Sequence, residues 1–278
     1  MKTTMMKKLN IAIAAIIMMA AIVATPAAAY ADSSVQAFSS SKDAGAYYSS
    51  QMLDHASEIS FTYVTDSANA SALVSEIRDE ALSNDYIHYS IYNGSTLSYT
   101  YTQSNGKYYY TMRYAVSYKT TAAQEKAFSN KLNSTMKSLN LSGKTDYQKV
   151  KTIYSYITKN VSYDRVHSST YYKKYSAYAA LVNKTAVCQG YATLFYEMCE
   201  KAGVDSKVIT GTSNNENHAW NIVKLNGKWY NIDATWDAGH STYSYFLKSN
   251  SNFKDHTRSS QYSNASFNSE YKMATSNY

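Results

Sequence analysis

Apolar residues along this chain recur with two spacings, one helical and one alternating, and their order predicts an α+β fold. Leu73, Val74, Ile77 and Ala81 form one helical stripe, and Phe128, Leu132, Met136 and Leu139 form another, opened by Thr121 and Gln124 at capping-box spacing. Thr145 and Gln148 repeat that signature ahead of Val150, Ile153, Tyr154, Ile157 and Val161. Between the first two stripes, alternation marks a hairpin. With Asn105-Gly106 as its two-residue turn, Tyr101 faces Tyr110, Tyr99 faces Met112 and Leu97 faces Tyr114. The apolar set then occupies one face, with Ser98, Thr100 and Thr111 on the other. A slip of one residue would destroy that match.

Further on, Tyr191, Leu194, Phe195, Met198, Cys199 and Ala202 give a helix from Cys188 to about Ala202 a broad apolar face, and Gly203 stops it. Asn226-Gly227 then joins two β-rich runs, the strongest short hairpin signal. Ser142-Gly143-Lys144 marks a boundary. The expected organisation is a leader over 1–31, a loose Ser/Ala-rich arm over 32–50, an N-terminal α+β region over 51–141 and a second domain over 142–278. The chain has thirty tyrosines and only seven phenylalanines. Their strand positions favour Tyr in the structural role of Phe over an aromatic surface for glycans.

The leader changes both compartment and charge. Lys2, Lys7 and Lys8 precede an apolar run from Ile11 to about Val23, and Pro26 and Ala27–Ala31 follow. This is the layout of a secretory signal peptide, with Ala31 the best-fitting cleavage site and Ala29 also possible; an uncleaved anchor is the alternative. Secretion is therefore expected. No later segment is apolar enough to span a bilayer, so no stable membrane insertion is expected after cleavage. Loss of three lysines lowers the formal charge from +7 to +4 (24 Lys+Arg against 20 Asp+Glu), with the basic residues scattered. That argues against nucleic acid as a partner and allows weak attraction to anionic cell-wall polymers.

Two cysteines in an exported chain suggest a disulfide, but the helix argues against it. Cys188 and Cys199, eleven residues apart, stand about 16 Å apart along a helix axis, whereas a disulfide needs Cα atoms within about 7 Å. Cys199 lies in the apolar face as a small hydrophobe. Cys188 lies at the helix N-terminus, where the macrodipole and free N–H groups favour a thiolate and an oxyanion. The second hairpin supplies partners for it. Counting back from Leu225 opposite Lys228, Trp220 faces Asp233 and His218 faces Thr235. His218 and Asp233 then share a sheet face as diagonal neighbours, at roughly 7–8 Å, provided no bulge intervenes. Nucleophile, base and orienting acid are the groups thiol catalysis needs. Asp233 is preferred to Asp237, which falls beyond the pairing. His55, His88, His167, His240 and His256 lack such a context, and the sequence carries no tight His/Cys/Asp metal motif.

Ala186–Ala192, His218–Val223 and Asn231–Trp236 resemble, in that order, the three motifs of transglutaminase-like domains. Thr145–Asp164 and Ser176–Leu181 resemble the approach to the cysteine in secreted bacterial members, so the resemblance spans about residues 145 to 250. It implies a papain-like α+β core with the nucleophile helix packed on an antiparallel sheet, and the pattern ahead of it reads as a small α/β region. It also implies acyl transfer on a peptide or glutaminyl amide of a protein, peptide or cell-wall peptide. In that scheme Cys188 attacks, His218 is base and then acid, and Asp233 orients it. An aromatic upstream of the cysteine serves the oxyanion in such enzymes, which makes Tyr178 a candidate. Gln189, Gly190, Trp220 and Trp236 are candidate substrate-binding positions. The acidic clusters of calcium-dependent members and their leading β-sandwich are not evident, so neither metal nor cofactor is expected. The alternative is a non-catalytic cell-wall or glycan-binding module that keeps the fold.

Overall fold

A computed structural model describes residues 20–21, 35–166 and 171–278. The predicted cleavage site and His167 lie outside the described residues, as does the predicted leader apart from Ala20–Ala21. A first sheet combines β1 (Ala20–Ala21), β2 (Ala37–Phe38), β3 (Glu58–Thr65), β4 (Tyr92–Ser104) and β5 (Lys107–Tyr118) in the order β1-β4-β5-β3-β2. Asn105 (φ 50°) and Gly106 (φ 75°) both take the left-handed conformation, which a two-residue hairpin turn demands. The register is the one the alternation predicts, with Leu97 opposite Tyr114, Tyr99 opposite Met112 and Tyr101 opposite Tyr110. Ile59, Phe61, Met112 and Tyr114 of its buried face pack against α1 (Ser41–Leu53) and α2 (Ala70–Ala81).

Helix α1 corrects the expected loose arm. Ser40 caps it, and Ala44, Tyr48 and Met52 recur at four-residue spacing on its buried side. That short stripe is masked in the sequence by the surrounding Ser, Lys and Asp. Gly45 lets α1 approach α2, because a Cβ there would stand 2.6 Å from Glu80 Cβ and 3.0 Å from the Ile77 carbonyl oxygen.

Helices α3 (Ala122–Leu139) and α4 (Asp146–Asn160) both open with the predicted capping boxes, Thr121/Gln124 and Thr145/Gln148. Phe128 and Leu132 of α3 pack in the second core, with Val150, Ile153 and Ile157 of α4. A single turn at Ile87–Ile91 joins the two cores. Ile87 enters the first, and Tyr86, Tyr89 and Ile91 enter the second.

In the second core, β6 (Ser162–Tyr163) pairs in parallel with β7 (Thr185–Ala186), which leads into α5 (Cys188–Ala202). Four antiparallel strands follow, β8 (Ser206–Ser213), β9 (Glu216–Leu225), β10 (Lys228–Ile232) and β11 (His256–Arg258), in the order β10-β9-β8-β11. Tyr191, Leu194, Phe195 and Met198 of α5 share a core with Val208, Ala219, Val223 and Leu225 of the sheet. The opposite face carries Ile209, Trp220, Ile222 and Trp229 against Phe253, Tyr262 and Phe267, the last from α6 (Ala265–Glu270). Most of the abundant tyrosines are structural: Tyr48, Tyr154 and Tyr191 are among the largest fully buried side chains. Among the described residues no helix is long and apolar enough to cross a membrane.

Gly45→Ala tests the α1–α2 contact. Alanine favours a helix by about 1 kcal/mol over glycine, but forcing the helices apart typically costs about 1–3 kcal/mol. A net fall in Tm, measured by thermal unfolding, is expected. An unchanged or raised Tm would show that the helices separate freely.

Candidate active site

Cys188 is the first residue of α5, half-buried and free of any disulfide. Its position is set by the chain on both sides. Tyr163 of β6 lies opposite Ala186, the Asp164 N–H donates to the Ala186 carbonyl (2.9 Å), and the Val187 N–H donates to Lys174 (3.0 Å). One turn into the helix, Tyr191 Oη donates to the Val161 carbonyl (2.7 Å). Gly190 is needed for this packing. A Cβ there would meet Ala186 Cβ at 2.7 Å and the Ser176 carbonyl oxygen at 2.9 Å. It therefore faces the interior instead of clearing space for substrate. Gln189 likewise spends its amide on the Tyr89 carbonyl, tying α5 to the turn that joins the two cores. Cys199 is fully buried, and burial pushes its thiol up, out of the reactive range.

The hairpin carrying His218 and Asp233 pairs as predicted from Leu225–Lys228 to Asn221–Ile232 and then stops. The expected pairs Trp220–Asp233 and His218–Thr235 do not form, because the chain leaves the ladder. The Asp233 N–H donates instead to Tyr245 (3.1 Å), and His218 lies opposite Gly211 of β8. Side-chain parity nonetheless reaches Asp233. His218 Nε2 stands 2.6 Å from Asp233 Oδ2. The other carboxylate oxygen, Oδ1, accepts the N–H groups of Thr235 (2.8 Å) and Trp236 (3.3 Å).

Burial opposes ionisation of Asp233, yet hydrogen bonds from His218 and His256 hold its pKa down to about 2. Burial also opposes a charge on His218, but hydrogen bonds with Asp233 and with Cys188, and their negative charges, raise its pKa to about 10. The imidazole thus lies between the thiol and the carboxylate and keeps two protons at neutral pH. The rival acid, Asp237, is committed elsewhere. Its carboxylate accepts from Tyr154 Oη (2.6 Å) and from the N–H groups of Ser244 (2.8 Å) and Tyr245 (2.9 Å).

The remaining candidates divide by exposure. Trp236 is half-buried, and its indole Nε1 lies 3.1 Å from His218 Nε2, so it walls one side of the imidazole. Trp220 corrects the substrate-binding expectation: it is 1 % exposed and lies nearly parallel to the His218 ring inside the core (centroids 6.1 Å, 18°). Tyr178 is half-buried against the second core. The phenols that feel the Cys188 charge are instead Tyr163, pushed up to about 12 by burial and then by that charge, and Tyr175, shifted in the same direction by the same causes.

Sequence reasoning missed His256. Its ring joins the site through Asp233 Oδ2 (3.0 Å), and no local motif announces it, since β11 arrives by pairing with the distant β8. His218, Asp233 and His256 also form a cluster that sequence spacing did not show, with ligand-type atoms within 4.8 Å of one another. Their mutual hydrogen bonds account for that spacing.

Residues 133–234 match the core model of the transglutaminase-like superfamily. Kyphoscoliosis peptidase from Homo sapiens is 31% identical over 108 residues, covering 34% of this chain and 16% of that protein. The Mus musculus protein of the same name is 29% identical over 121 residues, covering 39% of this chain and 18% of its own length. The chain therefore spans less than a fifth of the length of these curated relatives. A solved transglutaminase structure overlays with a TM-score of 0.38 at 18% identity, covering 66% of this chain and 51% of the other. The matched segment, 133–234, is the part of the chain that holds the cysteine helix and the His-Asp hairpin, and over that segment the chain is similar to transglutaminase-like domains.

Proposed function

We propose that this protein is a secreted thiol-nucleophile acyl-transfer enzyme acting on peptide or glutaminyl amides of a protein or peptide substrate. The observation that carries the proposal is one imidazole that bonds a buried carboxylate 2.6 Å from Nε2 and also hydrogen-bonds the half-buried Cys188 thiol. The charged start, apolar run and small-residue exit of 1–31 support secretion, with cleavage after Ala31 or Ala29 removing β1 from the exported chain.

In the proposed reaction the Cys188 sulfur attacks the amide carbon, with its proton held on His218. The tetrahedral oxyanion lies at the N-terminus of α5, where first-turn N–H groups point outward. Collapse breaks the C–N bond as His218 passes its proton to the leaving nitrogen, giving ammonia or an amine and a thioester. An acceptor, water by default, attacks the thioester while His218 takes its proton. The thiol is regenerated and a carboxylic acid is released; with an amine acceptor the product is a new amide. Asp233 keeps Nε2 protonated and the ring oriented throughout.

Two outcomes test the nucleophile. Iodoacetamide at pH 7 labels Cys188 and leaves Cys199 unmodified in the folded protein, and His218→Ala slows labelling by roughly tenfold or more. Equal, slow labelling of the two proteins would refute the assignment. On a panel of glutamine-containing peptides, ammonia release or chain cleavage should exceed incorporation of an added amine, and Cys188→Ala should abolish all three.

The pH dependence follows from His218. Its raised pKa leaves the ring protonated through neutrality, and the proton needed by the leaving group is lost only as pH rises through about 10. The alkaline limb of kcat/KM should therefore fall near pH 10. A limb near the unperturbed histidine value of about 6.5 would remove His218 from the acid role.

A further inference from the structure

A buried histidine is usually satisfied by backbone groups or water, and a carboxylate already holding three donors has little need of a fourth. His256 departs from both habits. Its side chain is fully buried, and each ring nitrogen faces a carboxylate: Nε2 lies 3.0 Å from Asp233 Oδ2 and Nδ1 lies 2.9 Å from Asp255 Oδ1. Ionised carboxylates only accept, so both nitrogens donate. Asp255 is itself fixed, because its second oxygen accepts from Tyr245 Oη at 2.6 Å.

The ring has almost no freedom to leave this arrangement. Phe253 stacks on it (centroids 3.9 Å, 27°), Trp220 meets it edge-on at 5.0 Å and Tyr245 at 5.6 Å. The titratable groups facing it are Asp233, Asp255, Tyr245 and His218, whose ring centroid is 5.3 Å away. The backbone is built to the same end. β11 lies so close to β8 that a Cβ on Gly211 would stand 2.0 Å from the Thr257 carbonyl oxygen. Gly211 is also the residue opposite His218. One side-chain-free position thus brings the second histidine within reach of the carboxylate used by the first.

We propose that His256 is a positioning residue for the Cys188–His218–Asp233 site, donating from Nε2 to Asp233 Oδ2 while Asp255 anchors its other nitrogen. The proposal rests on the reading of Cys188 as nucleophile. Oδ1 of Asp233 is tied to backbone N–H groups, so the orientation of Oδ2 decides where the His218 ring points. Two donors on Oδ2 define that orientation more narrowly than His218 alone, and the second is rigid.

The ring has two donors, and two amides separate them. Glutamine places its amide nitrogen near the position of Nε2, and asparagine places its own near Nδ1. Both are smaller than histidine and leave a gap in the same pocket, so a merely structural role predicts similar losses. Acylation by p-nitrophenyl acetate and alkylation by iodoacetamide, followed across the pH range, read the nucleophile without a known substrate. His256→Gln, which keeps a donor on Asp233, should stay within about threefold of the parent protein. His256→Asn should be slower by roughly tenfold or more, the scale of one hydrogen bond to a charged group, with an altered pH profile. In an Asp233→Asn background the two variants should become equal, since there is no longer a carboxylate to hold. Asp255→Ala, at an exposed position, should slow the same rates without loss of fold. The proposal is overturned if His256→Asn matches the parent, if the Gln and Asn variants are equally slow, or if their difference survives in Asp233→Asn. Cys188→Ala run alongside keeps the two ideas apart: activity persisting without Cys188 refutes the nucleophile, whereas activity lost there but indifferent to His256 refutes only this inference.

Discussion

The second half of the molecule is organised around one buried charge. The Asp233 side chain is only 1 % exposed, yet it is held ionised, and burying an unpaired carboxylate is far too costly for a protein to tolerate. Each oxygen is therefore met from a different direction. The turn after β10 supplies the N–H groups of Thr235 and Trp236, β9 supplies His218 and β11 supplies His256. Strand β10 ends at Ile232 because a continuing ladder would take the backbone of that turn. Tyr154 Oη closes the arrangement from α4, within 2.7 Å of the Asp233 carbonyl oxygen and 2.6 Å of the Asp237 carboxylate. Asp237 in turn fixes the Ser244–Tyr245 backbone whose carbonyl receives the Asp233 N–H. The two acids that sequence reasoning set as rivals thus divide the work, one orienting an imidazole and the other holding the loop that encloses the first.

The N-terminal sheet is coupled to this arrangement through a short stretch of chain. Asp85 is buried, accepts the Val208 N–H at 2.6 Å and pairs with Lys207 at 3.0 Å, so it grips the start of β8. The Tyr89 carbonyl takes the Gln189 amide beside Cys188, and its hydroxyl meets that of Tyr262, four residues after β11. Ser90 Oγ accepts the Ala177 N–H at 2.9 Å. One short stretch, Asp85–Ser90, therefore touches α5, the segment before it, the start of β8 and the chain just after β11. Displacing the first sheet would be felt at Cys188 and His256 alike.

What was legible in the sequence was whatever is specified locally. The two Asn-Gly turns carry their own φ requirements, so both hairpin registers could be counted, and both capping boxes lie within three residues of chain. Cys188, His218 and Asp233 could be singled out because each sits in a motif. What could not be read was non-local. His256 lies 23 residues beyond Asp233 in the chain, and its role depends on β11 closing against β8 over a glycine. Gly190 and Trp220 were misjudged for a related reason. A motif position does not say which way its side chain faces, and both turn inward to pack. Helix α1 was missed because three buried positions among polar residues give a weak stripe that only the sheet beneath it makes stable.

The proton affinity of His218 bears on how the proposed reaction would divide between its halves. A ring that holds its proton to about pH 10 is a good acid for the leaving amine and a poor base for an incoming water. Part of that affinity, however, comes from Cys188, through a hydrogen bond and a charge, while Asp233 raises it and burial opposes it regardless of the state of the thiol. Acylation removes the Cys188 contribution, because a thioester sulfur carries no charge and accepts hydrogen bonds only weakly. The ring would then release its proton more readily, becoming a better base at the step that must activate the acceptor. His256 acts on the same balance from the other side: its donation to Oδ2 draws on the charge that Asp233 offers His218, which moderates an affinity that would otherwise hold the proton through both steps.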